Sequence, residues 1–377
     1  MKNEQTGSGG LKYIRLREWL NENIESRKFK FGDKLPSENM LATKFSISRQ
    51  TVRNAIDQLE TEGVIRRVRG SGTFVNKLVE VKQRNNNIGV LLSYLDDYIF
   101  PQIMRGIEEV LTKEGFGIDL GITHNSVESE ARFLERMLET NVAGVVVEGT
   151  RSALPNPNLD LYRKLSEMGI PVIFLHNCYQ GLDFPKVVMD DAACVRKMVE
   201  MLIQAGHRQI AGIFKSDDIQ GHWRYKGYID ALRQGGVAIC EDNIRWYSTE
   251  DFDAGQVLSN DDAALKFMSN CTALVCYNDQ IATLAYNVLI RNGMRVPEDI
   301  SLTGFDDSTL SRTGSVEFTS AMHPKNVIGV EVASRIVRMI KYGGSPLSKF
   351  SLTIPAQIAV RPSIRDIRSE TDLQNES

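Results

Sequence analysis

The N-terminal part of the chain alternates apolar and polar positions at helical spacing, interrupted by a short polar break at residues 46–48. The pattern predicts two short helices that share one apolar seam, and Ser48 lies where an N-cap is preferred, so the second helix is predicted to begin at Arg49. The seam consists of Ala42, Phe45, Ile47, Val52, Ala55, Ile56 and Leu59. Apolar residues between Leu11 and Phe29 predict a further helix that packs under these two.

Two short apolar runs follow the second helix. Residues 64–68 and 73–75 flank the sequence Arg69-Gly70-Ser71-Gly72, which is small, basic and rich in glycine. Glycine tolerates positive φ and lets the backbone approach a partner closely. The pattern predicts a β-hairpin, and a helix-turn-helix followed by such a hairpin is a winged helix.

From Ile88 onward the pattern becomes that of an α/β domain, in which continuous apolar runs alternate with amphipathic stretches. This predicts parallel sheets with helices on both faces. A break at residues 185–190 suggests two such sheets in succession, with a cleft between two lobes. The predicted strands are 88–93, 117–122, 144–147, 171–175, 187–189, 210–214, 274–276 and 302–305, and the predicted helices are 103–111, 127–138, 161–168, 192–205, 222–234 and 281–291.

These patterns divide the chain into five parts. We expect a flexible lead at 1–10, a winged-helix domain at 11–76, a polar linker at 77–87, a two-lobed domain at 88–364 and a flexible tail at 365–377. A linker of this composition forms a mobile joint between the two domains. With 377 residues and 42% hydrophobic content, the chain is long enough for two or three domains with a sizeable core.

Charge is distributed unevenly between these parts. Residues 1–75 contain 14 lysines and arginines against 9 aspartates and glutamates, a net charge of +5, and the remainder carries −8, which together give the −3 of the whole chain. A basic head on an acidic body is typical of proteins in which one domain contacts nucleic-acid phosphates.

Cysteine usage and apolar runs indicate a reduced, cytoplasmic protein. The five cysteines are scattered and form no CxxC pair, which argues against a disulfide framework and a zinc site. No apolar run approaches the roughly 18 residues of a membrane span, and the polar N-terminus lacks the apolar segment of a secretion signal.

The second helix of the predicted helix-turn-helix opens with side chains suited to reading double-stranded DNA. Arg49, Gln50, Thr51 and Arg53 project outward from its first turn and a half. Such residues reach base edges and phosphates from a helix that lies in the major groove.

Leu35-Pro36-Ser37-Glu38, Ser48 to Arg53, Ala55-Ile56 and Gly70 to Val75 together resemble the GntR winged-helix family, over residues 11–75. The resemblance implies that Arg49, Gln50, Thr51 and Arg53 face the major groove. It also implies that Glu38 lies nearby at the start of the preceding helix, where it either caps that helix or orients Arg49. Gly70 and Ser71 of the hairpin tip are implied to enter the minor groove.

Ligands of open α/β sheets bind beyond the carboxyl ends of the strands. In this chain those positions are polar and planar, and they include Glu148, Lys215, Tyr277, Asn278 and Asp306. Carboxylates and amides can bind sugar hydroxyls in pairs, while an aromatic ring packs on the C–H face of the sugar. The sequence therefore predicts a site for a polyhydroxylated sugar.

A second resemblance covers residues 88–364. Ala205 to Ile210, Arg224 to Tyr228, Tyr277-Asn278-Asp279, Val296 to Ser301 and Thr303 to Asp307 are similar to the effector-binding core of the LacI/GalR family. The resemblance implies Phe100 as a stacking ring, Gln220 and Arg224 as contacts from the second lobe, Asn278 near the hinge, and Asp306 as the carboxylate that grips ring hydroxyls. Asp307 is expected to orient Asp306 or to cap the following turn.

A GntR-type head on a LacI/GalR-type core is the arrangement of the arabinose-repressor family of Gram-positive bacteria, which segments 98–101, 214–221 and 323–325 also resemble. The resemblance implies L-arabinose as the effector and no cofactor. It implies a homodimer paired through its cores, which binds palindromic operator DNA and represses genes for sugar use. This head lacks the hinge helix of LacI-type heads, so coupling must pass through the core and the linker.

Catalysis is not expected, because the sequence contains no P-loop, GxSxG or HExxH motif. Two other functions remain open: a regulator of the same architecture that answers a different sugar, a sugar phosphate, a purine or another metabolite, and a sugar-binding protein with no role on DNA. Lys215 and Arg224 would accept a phosphate, whereas Glu148 and Asp306 would repel one.

Overall fold

The computed structural model describes residues 15–17, 19–21, 23–24, 28–29, 32–61, 64–68, 71–75, 85–95, 99–342, 347–355 and 357–368. The protein forms two compact units, residues 1–84 and residues 85–377. Gly70, the predicted lead at 1–10, most of the predicted linker and the last nine residues of the predicted tail lie outside the described residues.

The first unit is a winged helix, as predicted. Helix α1 (Glu38–Phe45) and helix α2 (Arg49–Thr61) are followed by the antiparallel strands β1 (Ile65–Val68) and β2 (Gly72–Val75). Strand β2 begins at Gly72, one residue earlier than predicted, with a φ of 117° that favours glycine. Residues 15–17, 19–21 and 23–24 of the further predicted helix are helical.

Capping serines fix the turn between α1 and α2. The Ser37 hydroxyl accepts a hydrogen bond from the Met40 amide, and Ser46 ends α1 with a left-handed φ of 52°. The Ser48 hydroxyl accepts from the Thr51 amide at 3.1 Å, which confirms the predicted N-cap. Of the predicted seam, Val52, Ala55, Ile56 and Leu59 are fully buried, together with Leu16, Leu20 and Leu41, while Ala42, Phe45 and Ile47 are partly buried.

The second unit contains two six-stranded sheets with helices on both faces. Its strands are β3 (Asn85–Leu92), β4 (Gly117–Ile122), β5 (Val142–Glu148), β6 (Val172–Leu175), β7 (Lys186–Met189), β8 (Ile210–Lys215), β9 (Ile244–Tyr247), β10 (Ala273–Cys276), β11 (Ser301–Asp306), β12 (Thr319–Met322), β13 (Leu352–Ile354) and β14 (Gln357–Ala359). Its helices are α3 (Phe100–Lys113), α4 (Val127–Thr140), α5 (Leu159–Glu167), α6 (Asp191–Gln204), α7 (Ile219–Gln234), α8 (Thr249–Asp253), α9 (Asp261–Met268), α10 (Asp279–Arg291) and α11 (Lys325–Tyr342).

The strand order defines two lobes. Lobe 1 has the order β13-β7-β6-β5-β3-β4, and lobe 2 has the order β14-β12-β11-β10-β8-β9. All neighbouring strands run parallel except the β12–β14 pair. The predicted two-lobed α/β architecture with parallel sheets is therefore confirmed.

The prediction that the two sheets follow each other along the chain was wrong. The chain passes from lobe 1 to lobe 2 after β7, returns at α11 and β13, and crosses again to form β14. Ile328, Val332 and Ile336 of α11 are buried in one apolar cluster with Val146 of β5 and Ile173 of β6, because α11 covers one face of the lobe 1 sheet. The break at residues 185–190 marks only the first of these three crossings.

Several elements begin or occur where the sequence pattern did not place them. Strand β3 begins at Asn85, whose amide donates to the Asn141 carbonyl at 3.0 Å, so residues 85–87 of the predicted linker belong to the sheet. The elements absent from the prediction are β9, β12, β13, β14, α8, α9 and α11.

Among the described residues, no helix combines the length and apolar character that crossing a membrane requires. The five cysteines are all free thiols. Within the described part of the chain, no cluster of three or more His, Cys, Asp or Glu side chains is arranged to hold a metal ion.

Candidate effector cavity and DNA-reading surface

A cavity of about 470 Å³ lies between the two lobes of the second unit. Sites for small molecules typically have volumes of roughly 300–1,000 Å³. All eight residues predicted as effector contacts line this one cavity: Phe100, Glu148, Lys215, Gln220, Arg224, Tyr277, Asn278 and Asp306. They come from both lobes and from the carboxyl ends of β5, β8, β10 and β11, the first turn of α3 or the first two turns of α7.

Arg224 on α7 is held rigidly in this cavity. Its Nε donates to the Asp191 carboxylate at 2.8 Å and its Nη1 to the Tyr277 carbonyl at 2.7 Å, while the guanidinium packs over the Phe305 ring at 3.6 Å. Burial opposes its charge, but Asp191, Tyr277 and Asp306 together outweigh that effect and raise the pKa of Arg224. The side chain is only 3% exposed, so it is a fixed cation that a ligand need not order.

Asp306 faces Arg224 from the end of β11. One carboxylate oxygen lies 4.0 Å from Nη2 of Arg224, and the residue has a φ of 93°. Asp307 follows with a φ of 44°. Left-handed conformations are rare for residues other than glycine, and they cluster at ligand sites where the surrounding structure enforces them.

Asp307 does not line the cavity and neither orients Asp306 nor caps the next turn through its side chain. Its carboxylate forms ion pairs with Arg361 and Arg312 instead. Burial works against the charged form, but the hydrogen bonds from these two arginines hold the pKa of Asp307 below its usual range. The Ser308 hydroxyl caps the following 3-10 turn.

Glu148 ends β5 and is buried at the cavity wall. One carboxylate oxygen accepts from the Ser93 amide at 2.9 Å, and the other lies 2.8 Å from Nδ1 of His176. The His176 ring lies edge-on to Phe100, with 6.2 Å between ring centroids. Phe100 is the first residue of α3 and is 4% exposed, so its ring is fixed by packing.

Tyr277, Asp218 and Lys215 form a polar group on lobe 2. The Tyr277 hydroxyl donates to the Asp218 carboxylate at 2.8 Å. Burial raises the pKa of Tyr277 well above its ordinary value, so it remains a hydroxyl donor. Burial of Asp218 favours its neutral form, but the Lys215 charge and the Tyr277 hydrogen bond lower its pKa overall.

Asn278 and Gln220 contribute amides from the starts of two helices. The Asn278 Oδ1 caps α10 by accepting from the Ile281 amide at 3.0 Å, and its Nδ2 donates to the Gln280 side-chain oxygen at 3.4 Å. Gln220 is 9% exposed in the first turn of α7, whose N-cap is Asp218.

On the first unit, the predicted reading residues lie at the start of α2. Arg49, Gln50 and Arg53 are exposed and Thr51 is half-buried. Glu38, the first residue of α1, pairs with Nε of Arg53 at 2.9 Å, so it orients Arg53 and not Arg49. Ser71 is exposed at the turn between β1 and β2.

Comparison with known proteins places this architecture in a family. Residues 12–75 match the model for bacterial regulatory proteins of the gntR family, and residues 199–364 match the periplasmic binding protein-like domain. The arabinose metabolism transcriptional repressor of Geobacillus stearothermophilus is 37% identical over 336 residues, covering 88% of this chain and 91% of the relative. The repressor of the same name from Halalkalibacterium halodurans is 36% identical, covering 89% and 92%.

The chain belongs to the arabinose metabolism transcriptional repressor family. It is a sugar-responsive transcriptional repressor and not an enzyme. Its fold resembles that of the regulator CelR in complex with cellobiose, with a TM-score of 0.66, 22% identity and coverage of 87% of this chain and all of that one. It also resembles CcpA of Lactococcus lactis, with a TM-score of 0.65, 22% identity and coverage of 75% and 100%.

In this member of the repressor family, the cavity has walls that the sequence pattern missed. His124 and Asn125 follow β4, while Tyr247 is the last residue of β9 and Thr249 comes shortly after it. The rule that ligands bind after strands would have found the first pair, because β4 was predicted at its observed bounds. The second pair lies at the end of a strand that was not predicted.

Asn125 also joins the lobes of the repressor. Its Nδ2 lies 3.1 Å from the Asp217 carboxylate and 2.6 Å from the Thr249 hydroxyl, both on lobe 2. Arg151 pairs with Glu250, and the Ser152 hydroxyl donates to Asp218 at 2.9 Å. Asn125, Arg151, Asp218 and Thr249 also line the cavity, so these cross-lobe contacts lie at its wall.

Proposed function

We propose that L-arabinose binds in the cavity between the lobes and releases a homodimer of this repressor from a palindromic operator. The observation that carries the proposal is the pairing of Arg224 with Asp306 across 4.0 Å at the cavity wall. A fixed guanidinium supplies hydrogen-bond donors, and the carboxylate beside it supplies acceptors. Neighbouring sugar hydroxyls can bind to both at once.

The remaining walls support a small neutral sugar. Phe100 supplies a rigid ring for the C–H face, while the Asn278 amide and the Glu148 carboxylate supply further polar contacts. Arg151, Lys215 and Arg224 are balanced by Glu148, Asp218, Asp253 and Asp306 among the lining residues. Because the Arg224 charge is already engaged by Asp191, this balance favours a neutral ligand over a sugar phosphate.

On DNA, we propose that the start of α2 lies in the major groove. Arg49 and Gln50 then contact base edges, Thr51 contacts the backbone, and Arg53, oriented by Glu38, contacts phosphate or base. Ser71, at the turn between β1 and β2, approaches the minor groove. Two such heads in a homodimer match two half-sites about one DNA turn apart, which requires a palindromic operator.

Release follows from a two-state equilibrium of the second unit. Sugar bridges the lobes and favours an arrangement in which the cross-lobe contacts of Asn125 and Arg151 are made. A ligand must prefer one state by about 5.5 kcal/mol to move an equilibrium from 1:99 to 99:1. Many polar contacts to both lobes are needed to supply that difference.

Fluorescence anisotropy of a labelled palindromic duplex tests the proposal. The full-length protein should bind the duplex, and L-arabinose should release it at concentrations where D-arabinose, D-xylose, D-galactose and arabinose 5-phosphate have little effect. Analytical ultracentrifugation of the same samples should show two protomers per duplex. Release by the phosphosugar alone, or by none of the sugars, would contradict the assignment of L-arabinose.

A further inference from the structure

The segment His323–Lys325 joins β12 of lobe 2 to α11 of lobe 1. It is one of the three places where the chain crosses between the lobes. Neither His323 nor Lys325 lines the cavity, yet each makes polar contacts that lead to a carboxylate in it. The two contacts run in opposite directions, one into each lobe.

Lys325 holds the turn that carries Asp306. Its Nζ donates to the Asp306 carbonyl at 2.6 Å and to the Asp307 carbonyl at 2.9 Å. Both residues have left-handed φ values, which need support from their surroundings. A charged donor shared by two adjacent carbonyls is strong support, because charge-assisted hydrogen bonds are stronger than neutral ones.

His323 leads to Glu148 through His176. Nε2 of His323 lies 3.1 Å from Nε2 of His176, and Nδ1 of His176 lies 2.8 Å from the Glu148 carboxylate. Since an ionised carboxylate only accepts, Nδ1 of His176 donates to it, and in a neutral His176 ring Nε2 then accepts from His323. Burial, with the neighbouring His176 and Lys325, lowers the pKa of His323 well below its usual value, so this ring is neutral.

We propose that the His323–Lys325 segment positions two sugar-binding carboxylates, one in each lobe: Asp306 through Lys325 and Glu148 through His323 and His176. His323 and Lys325 are positioning residues, since neither reaches the cavity. Because the segment also connects the lobes, a movement of one lobe relative to the other changes both contacts. When the lobes close or open, the segment therefore changes the positions of the two carboxylates together.

The inference rests on the proposed function, so L-arabinose is the probe. Isothermal titration calorimetry of the full-length protein compares wild type with Lys325→Met, which keeps the length of the side chain and removes its donors. We expect L-arabinose affinity to fall by about 10- to 100-fold, the range that corresponds to losing hydrogen bonds from a charged donor. Lys325→Gln, which retains a neutral donor, should lose less.

Operator affinity without sugar should not change in either variant, because the proposed role of Lys325 is confined to the carboxylates of the cavity. Lys164→Met is the matched control, since Lys164 is an exposed lysine of lobe 1 on α5. It should bind sugar and operator like wild type. If Lys325→Met does not fold, the Lys325→Gln titration decides, and wild-type affinity in that variant would overturn the proposal.

Double-mutant cycles separate positioning from general stability. Lys325→Met should weaken sugar binding much less in an Asp306→Asn background, and His323→Phe much less in a Glu148→Gln background, because each acts through the carboxylate already removed. Fully additive losses would overturn the proposal. If wild type itself gives no heat with L-arabinose, the proposed function fails; if wild type and Lys325→Met bind alike, only the positioning role fails.

Discussion

Asn125 offers a direct test of whether the contacts between lobes drive sugar binding. It lies after β4 at the cavity rim, where its Nδ2 lies 3.1 Å from Asp217 and 2.6 Å from Thr249 on the opposite lobe. Asn125→Gly removes both contacts. Glycine also accepts the φ of 57° at this position, so the substitution introduces no backbone strain.

The magnitude follows from what each contact is worth. A hydrogen bond to a neutral group contributes about 1 kcal/mol and one to a charged group about 1.5–3 kcal/mol. Asn125 also accepts from the Arg151 amide at 2.8 Å, but that bond lies within lobe 1 and is lost equally whether the lobes are open or closed. Allowing for imperfect geometry at Asp217, the closed state loses about 2–3 kcal/mol, which corresponds to roughly 30- to 150-fold weaker sugar binding.

Calorimetry with L-arabinose measures this loss, and anisotropy of the operator duplex measures its consequence. Asn125→Gly should bind the operator like wild type without sugar. The sugar concentration that releases the variant should rise by about the same factor as its dissociation constant for sugar. Asn141→Gly is the matched control. Asn141 has a φ of 50° at the end of α4 in the same lobe and does not line the cavity, so the same substitution there should leave sugar affinity unchanged.

Sugar affinity within about threefold of wild type, a difference of roughly 0.6 kcal/mol, would refute the reasoning. It would mean that the cross-lobe bonds form equally in the free and the sugar-bound protein. An equal loss in Asn141→Gly would instead assign the effect to the flexibility that glycine adds to the chain.

Three further predictions test separate parts of the molecule. Arg49→Ala should abolish operator binding in anisotropy while leaving the calorimetric affinity for L-arabinose intact; equal loss of both would contradict separate functions for the two units. Asp306→Ala should retain operator binding but resist release by sugar, and release at the wild-type concentration would remove Asp306 from the site. Burial, and then the nearby Asp306 charge, raises the pKa of Asp279 from 3.8 to about 7. The folded protein thus keeps a proton that the unfolded chain loses near pH 4, so the stability from Asp279 declines as pH rises from about 4 to about 7. In urea titrations, the unfolding free energy of wild type relative to Asp279→Asn should fall across that window and stay level above it.

The sequence predicted the elements whose patterns are local. Strand β4 has its predicted bounds, and α4 and α7 differ from prediction by only a few residues at their ends. The return of the chain to lobe 1 could not be predicted in the same way. Residues 325–342 have an apolar stripe suited to either sheet, and only the contacts of Ile328, Val332 and Ile336 with lobe 1 decide between them.

The same distinction applies to the residues of the cavity and to their hydrogen-bond partners. Residues at the ends of strands, such as Glu148 and Asp306, could be predicted to line the cavity, because an apolar run that stops at a polar residue marks that position in the local sequence. The side chains that hydrogen-bond to those residues could not be predicted from the local sequence. Asp191, His176 and Lys325 reach the cavity residues through contacts between segments far apart in sequence, and Glu38 pairs with Arg53 although spacing alone also allowed Arg49.

The cross-lobe contacts do not include the sugar, so by themselves they would favour closure of an empty cavity. In a repressor that responds to sugar, closing the empty cavity must cost free energy. The acidic residues that line the cavity supply that cost. Closing the lobes removes water from Glu148 and Asp306, and a buried carboxylate is costly unless its oxygens receive hydrogen bonds. Under the proposed function, sugar hydroxyls donate those bonds. The carboxylates proposed to bind the sugar then make closure depend on its presence, which gives a reason for fixing their positions from both lobes.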